Sequence, residues 1–352
     1  MSDVLIRIPR SLQVLKSNGK RYVRCEACGE LVERTIVTHL KKIHPALWQE
    51  YISEFSRLRQ RGHSYQEIMW HFGRAFSWTV VERALAEAGV LFSPKGRVGG
   101  PLEPKDFSLE TTTVWSFPSR GKWAVHDSNY RGNWAPEVPR NLIMRFSRPG
   151  DWVLDPFVGG GTTAIEAAIL SRNFVGFDVS MAAVELARRK LRRLKARIRK
   201  EKRSVWPVVR MHRGDARRMA EVPDETIQLA CVHPPYLDII EYTRRNPADL
   251  STITDPDRFI RELRKTAMEI FRCLRPGGVM ALLMGDVRKN GKIIPLGMRT
   301  LEVLMELLDI EDVVIKTQHN TSKAYFWKTH SFLRIAHEYL FIMRKPQSQL
   351  GL

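Results

Sequence analysis

From residue 107 onward, short apolar runs alternate with longer stretches in which apolar positions recur every three or four residues. The runs at 151–157 (DWVLDPF), 173–179 (NFVGFDV), 227–232 (IQLACV), 277–285 (GGVMALLMG), 311–318 (EDVVIKTQ) and 337–345 (HEYLFIMRK) predict strands. Helical periodicity fills 159–171, 181–198 and 258–274 between them. Such alternation predicts a parallel sheet with crossover helices. The last two runs have no full helix of their own between them, which predicts an antiparallel terminal pair.

Upstream the pattern changes. Residues 46–92 read as helices broken by short turns, and the stretch SYQEIMWHFGRAFSWTVVERALAEAGV resembles a helix-turn-helix. Ser64 with Glu67 and Thr79 with Glu82 have capping-box spacing, Gly73 sits at the turn, and Gly89 follows the last periodic residue. A pair of this kind reads DNA, contacts RNA or simply packs, and the pattern leaves all three open. Residues 93–106, with three glycines and three prolines, read as a linker. The expected organisation is therefore a module over 1–45, a helical module over 46–92, the linker, and an α/β domain over 107–352.

The first module carries its own chemistry. CEACGELVERTIVTHLKKIH places Cys25, Cys28, His39 and His44 at C-x2-C-x10-H-x4-H spacing. Two thiolates on a knuckle and two imidazoles on a following helix suit tetrahedral Zn2+, and four protein ligands would make the site structural. The other two cysteines, Cys231 and Cys273, are scattered, so no disulfide framework is expected.

Charge narrows the partners. The 352 residues hold 57 Lys+Arg against 38 Asp+Glu, a net charge of +19, and 43% are apolar. Eleven basic residues and one acid crowd positions 188–203 on a helix whose other face repeats Val184, Ala187, Leu191, Leu194 and Ile198. The apolar stripe explains the helix; the charge points to a polyanion. Residues 319–334 interleave Lys323, Lys328 and Arg334 with Tyr325, Phe326, Trp327 and Phe332, which is either a stacking platform for bases or an ordinary apolar loop. Neither a secretory signal nor an apolar run long enough for a bilayer is visible, so a cytoplasmic protein without membrane attachment is expected.

The glycine loop VLDPFVGGGTTAIEA leaves a strand on Asp155 and enters a helix through Gly159, Gly160 and Gly161. A phosphate loop would need a lysine before the Ser/Thr, and Thr162 follows Gly161 directly. A dinucleotide fingerprint fits Gly159, Gly161 and Ala164, with Asp178 ending the next strand. The third reading is a resemblance. DPFVGGGTT together with HPPY (233–236) resembles the paired motifs of S-adenosylmethionine (SAM)-dependent amino-methyltransferases acting on exocyclic base nitrogens. NYRGNWAPEVPRNLIMRFSRPGD resembles the segment that flanks the methionine end of their cofactor.

The resemblance implies a Rossmann-like SAM-dependent methyltransferase sheet with an antiparallel C-terminal hairpin. It also implies that Asp155, Phe157, Gly159, Gly161, Thr162 and Thr163 hold the cofactor, with Asp178 on the ribose hydroxyls and Asp215 and Ala216 beside the adenine. His233, Pro234, Pro235 and Tyr236 would be catalytic: the prolines supply carbonyl acceptors but no amide donors, and Tyr236 stacks on the base. The family has Asp, Asn or Ser where this chain has His233, so the imidazole accepts one N–H, takes up the released proton, or merely fills the turn. A single acceptor suits an amine that has already lost a hydrogen, and successive methylation to dimethylcytidine is expected on that ground. No Pro-Cys context surrounds Cys231, so a thiolate route is not expected.

YLDIIEYT, LRPGGVMALLMGDVR and IPLG make the chain similar to cytosine-N4 methyltransferases, most of all archaeal ones acting on ribosomal RNA. This implies RNA, within small-subunit ribosomal RNA or the subunit itself, as partner. The alternatives are a DNA cytosine-N4 or adenine-N6 methyltransferase, and a non-enzymatic nucleic-acid-binding protein on the same fold.

Overall fold

In the computed structural model the described residues are 12–17, 20–25, 27–32, 36–60, isolated positions between 68 and 85, 101–128, 130–201, 206–240, 242–243, 246–319 and 333–347. The capping pairs at 64, 67, 79 and 82, the glycines at 73 and 89, and the basic-aromatic stretch at 320–332 lie outside them. The chain divides into two units, Met1–Lys95 and Gly96–Leu352. No helix among the described residues is long and apolar enough to cross a membrane.

The first unit opens with three antiparallel strands, β1 (Leu12–Ser17), β2 (Lys20–Cys25) and β3 (Leu31–Val32), followed by helices α1 (Ile36–Ile43) and α2 (Pro45–Gln60). Its core is aromatic. Tyr51, Phe55, Phe72 and Phe76 meet edge to face with centroids 5.0–6.0 Å apart, apart from the more distant Tyr51–Phe55 pair. Edge-to-face rings align positive edges with negative faces, so they add to the gain from burial.

The second unit is built on an eight-stranded sheet. Its strands are β4 (Val114–Trp115), β5 (Trp152–Asp155), β6 (Asn173–Asp178), β7 (Val209–Arg213), β8 (Ile227–Val232), β9 (Leu274–Met284), β12 (Asp309–Thr317) and β13 (His337–Arg344), in the spatial order β4-β12-β13-β9-β8-β5-β6-β7. A small hairpin of β10 (Val287–Lys289) and β11 (Lys292–Ile294) follows β9. Neighbours from β7 to β9 run parallel, whereas β13 is antiparallel to both β9 and β12. The last two strands are thus the expected antiparallel pair, with β13 inserted inside the sheet.

Successive side chains on each strand feed opposite cores. Val153, Leu229, Cys231, Ala281 and Leu340 pack under α3 (Glu137–Phe146), α4 (Thr162–Ile169) and α5 (Met181–Lys200). Leu154, Ala230, Val232, Leu282 and Phe341 pack under α6 (Pro256–Cys273) and α7 (Leu296–Met305) on the other face. Helix α6 begins where Asp255 accepts from Arg258 N, with Pro256 in its first turn, and buries Phe259, Leu263, Ala267 and Ile270.

The segment expected as a linker is only partly one. Leu102 is buried in the larger unit's core and Glu103 pairs with Arg140 of α3 at 2.7 Å, so residues 101–103 are anchored by apolar burial and charge. Beneath α3 lies a buried polar knot. Glu166, fully buried, accepts from Trp123 Nε1 (2.7 Å) and Arg140 Nη1 (2.9 Å) and bonds His126 Nε2 (2.6 Å). A desolvated carboxylate needs such partners, and these tie residues 123–140 to α4.

Candidate active site

Chain direction places the site. After β5 the chain goes to β6 and β7 on one side, then returns to β8 on the other, so β5 and β8 are neighbours whose connections diverge. A crevice forms beyond the carboxyl ends of parallel strands at such a point. There, Asp155, Phe157, Gly159, Thr162, Asp178, Asp215, Ala216, His233 and Pro235 line one cleft. A second cavity adjoins it, lined by His233, Pro234, Pro235 and Tyr236 with Arg120, Lys316 and Glu338. His233, Pro235, Asn133, Trp134 and Tyr242 belong to both walls.

The glycine loop is held from below and pressed from above. Asp155 accepts from Phe157 N (2.9 Å) and from Thr163 Oγ1 (2.5 Å), and burial pushes its carboxyl up to about 7. Its oxygens are thus committed to the loop. Asp178 accepts from Gly159 N (2.9 Å) and Ser180 N (2.8 Å), and burial pushes it up to about 6. The Tyr130 ring lies over Gly159, where a Cβ would come within 2.8 Å of it, and the Asn133 amide lies over Gly160.

Two expected cofactor residues do not reach the cleft. Gly161, with φ of +81°, starts α4 and packs on α5, where a Cβ would sit 2.9 Å from Ala187. Thr163 is spent on Asp155. Asp215 is engaged by Arg217 at 2.7 Å, leaving Ala216 as the apolar lining beside it.

The lining also includes Tyr130, Asn133, Trp134, Tyr242 and Asp249, which the sequence does not single out as site residues. The first four sit in segments that carried the family resemblance, which was the available signal. Asn133 Oδ1 accepts from Gly160 N at 3.2 Å, while its Nδ2 is buried with no partner. An unpaired buried donor is costly until an acceptor arrives. The Asp178 carboxylate, the apolar Phe157 and Ala216 and the unpaired Asn133 donor all line the cleft, and such a set fits SAM, whose diol, adenine and carboxylate would be their counterparts.

At the elbow, Trp134 stacks on His233, and His233 Nε2 lies 3.0 Å from the Tyr236 hydroxyl. Tyr236 donates to Glu338 Oε1 at 3.0 Å, and Glu338 Oε2 pairs with Lys316 Nζ at 2.7 Å. Burial pushes His233 down to about 4, so the ring is neutral at pH 7. The Tyr236 ring packs over Gly285, where a Cβ would come within 2.8 Å. Leu237, directly after the elbow, is buried with φ of +54°, a left-handed conformation that costs about 1–2 kcal/mol in a non-glycine residue. Cys231 faces the core beneath α3 and α4, and burial pushes its thiol well up, which suits an inert side chain.

In the first unit, one ligand atom each from Cys25, Cys28, His39 and His44 lie within 4.8 Å of one another. Cys28 Sγ lies 3.4 Å from His39 Nε2, and His39 Nδ1 lies 3.1 Å from Glu30 Oε2. His44 Nε2 is buried without a partner. A carboxylate on the far ring nitrogen is how metal-binding histidines are oriented, so the set fits Zn2+. Ligand spacing says nothing of what backs each ligand, so only the fold brings Glu30 to His39.

Residues 49–189 match a family model described as DNA methylase, and residues 142–250 match one described as RMKL-like, methyltransferase domain. Over 187 residues the chain is 25% identical to the DNA adenine methyltransferase YhdJ of Escherichia coli (strain K12), covering 51% of this chain and 62% of that protein. It is 33% identical to the type II methyltransferase M1.MboII of Moraxella bovis, covering 40% of this chain and 52% of that one. A solved SAM-dependent methyltransferase from Methanosarcina mazei overlays with a TM-score of 0.41 at 15% identity, covering 59% of this chain and 98% of that one. The chain thus spans between half and two thirds of these two curated relatives, and over residues 49–250 it is similar to methyltransferases, the curated ones named for DNA or type II systems.

Proposed function

We propose that the chain transfers a methyl group from SAM to the exocyclic nitrogen of a nucleic-acid base, with cytosine N4 as the target. The observation that carries this is the shared wall: His233 and Pro235 border both the cleft that fits SAM and the larger cavity beside it. Bound in the first cleft, SAM supplies an electrophilic methyl group. The chain's residues do the rest. An amine conjugated to its ring is a poor nucleophile, and acceptors on its N–H groups draw it toward tetrahedral geometry. The proline-fixed carbonyls and the neutral His233 provide such acceptors without competing donors. Trp134 and Tyr236 brace the imidazole, so the geometry is set before substrate enters.

Two polymers fit this chemistry. The names of the curated relatives favour DNA, for which the cytosine-N4 or adenine-N6 reading holds. Small-subunit ribosomal RNA, with one or two transfers to the same nitrogen, rests on the likeness of YLDIIEYT, LRPGGVMALLMGDVR and IPLG to archaeal cytosine-N4 enzymes. Either polyanion suits the exposed Arg192, Arg199 and Lys200 of α5. The Cys2His2 cluster holds a structural Zn2+ and, with α1 and α2, forms a docking module. Incubating the protein with methyl-deuterated SAM and total RNA or duplex DNA, then digesting to nucleosides for mass spectrometry, tests the reading. Label on N4-methylcytidine or dimethylcytidine selects RNA and label on a methylated deoxynucleoside selects DNA, whereas label on neither rejects the proposal.

A further inference from the structure

The group that sets the state of His233 comes from about a hundred residues further along the chain. Glu338 on β13 is nine-tenths buried or more and is flanked by Lys316 on β12 at 2.7 Å. Burial alone would raise its carboxyl, but Lys316, His233 and Tyr236 outweigh that and hold it below the usual carboxylate value, so Glu338 is ionised and can only accept. Tyr236 has one hydroxyl proton and gives it to Glu338. Its oxygen can therefore only accept from His233 Nε2, 3.0 Å away. The polarity of the chain Lys316, Glu338, Tyr236, His233 is fixed from one end to the other.

We propose that Glu338 and Lys316 are positioning residues that act through Tyr236 to hold His233 as its Nε2–H tautomer, leaving Nδ1 as the bare acceptor for the target amine and giving the surplus proton a path off the ring. The role toward an amine rests on the proposed methyl transfer; the tautomer rests on the hydrogen bonds alone. After transfer the amine nitrogen is cationic and one of its N–H bonds must break. Nδ1 takes that proton as Nε2 passes its own to the Tyr236 oxygen, and the Tyr236 proton moves to Glu338 Oε1. Glu338 then releases it to water in the cavity that it lines; once the product has left, Nδ1 gives its proton to the same water while the reverse shifts through Glu338 and Tyr236 return one to Nε2, restoring the resting tautomer. Burial disfavours an imidazolium here, and Lys316 and Arg120 disfavour it further while Glu338 opposes them, so the proton has reason to move on. Tyr242, the remaining titratable group bearing on Tyr236, is itself pushed up by burial and stays neutral. None of this was legible locally, because Tyr236 and Glu338 are 102 positions apart.

The test is side-chain 15N NMR of the full chain labelled at histidine, with His233 assigned by substitution. At pH 7 the wild type should show a protonated Nε2 and a bare Nδ1. Tyr236→Phe and Lys316→Met should each shift the ring to a mixed tautomer, with S-adenosylhomocysteine affinity within threefold of wild type as evidence of folding. A protonated Nδ1 in the wild type, or a tautomer unchanged by Tyr236→Phe, overturns the proposal. On the labelled substrate, Glu338→Gln should lower kcat at least tenfold with KM for SAM unchanged and displace the pH profile, whereas loss of KM alone counts against it. A protein that methylates no base defeats the methyl-transfer reading, yet the NMR result still decides the tautomer.

Discussion

The indole of Trp134 lies nearly parallel to the imidazole of His233, with ring centroids 5.4 Å apart and planes 23° apart. One face of the ring is thereby kept from water, which contributes to a His233 pKa near 4. Trp134→Ala admits water to that face and moves the pKa up toward the ordinary histidine value. An NMR pH titration of the His233 ring checks this, and a pKa still near 4 in the variant would show that other walls do the desolvating.

Asp178 is the acceptor that fits a ribose diol, and burial pushes its carboxyl up to about 6. Protonation removes acceptor capacity, so affinity for S-adenosylhomocysteine should fall as pH drops from 7 to 5, by roughly tenfold per unit below the midpoint, and be flat above 7. Isothermal titration calorimetry at several pH values reads this directly. Asp178→Asn should bind weakly with no such slope. Asp155→Asn, altered beneath the loop, should keep it.

Glu166 is a fully buried carboxylate whose partners come from three places in the chain. Glu166→Ala strands Trp123 Nε1 and His126 Nε2 in the core and leaves Arg140 with Glu103 alone, which should cost about 3–5 kcal/mol. Urea unfolding of the variant measures the loss. A change under 1 kcal/mol would mean that water replaces the carboxylate.

One zinc per chain should be found by plasma mass spectrometry of protein purified without chelators, and Cys28→Ser should lose it. Glu30→Gln should retain the ion with affinity about 10–100-fold lower, the usual effect of removing the carboxylate behind a ligating histidine. Competition with a chromophoric chelator gives the number, and equal affinity would show that Glu30 plays no part.

Most strands that the sequence marked are buried on both faces, such as 227–232, where unbroken apolar character leaves little choice; 311–318 is largely exposed and was marked by its short Val-Val-Ile run. Strand β7, reading VRMHR, lies at the sheet edge and needs few apolar side chains, so it showed no run to notice. Helix α3 carries Pro139 in its first turn, which a helix start tolerates but which blunts the signal. Within the site, the glycine loop, Asp178 and HPPY were visible because each is a short contiguous motif. Asn133, Trp134, Lys316 and Glu338 were not, because their roles depend on which segments the sheet order brings side by side.

Strand β13 is the last of the sheet to be made, yet it lies between β9 and β12. Every earlier strand can be translated while that slot stays open, with β9 and β12 exposing unpaired edges. The elbow at 233–236 lacks its Glu338 until the ribosome has released residues up to 344. Premature termination between β12 and β13 therefore yields a chain with an intact glycine loop and two sticky margins, a species for chaperones and proteases to clear.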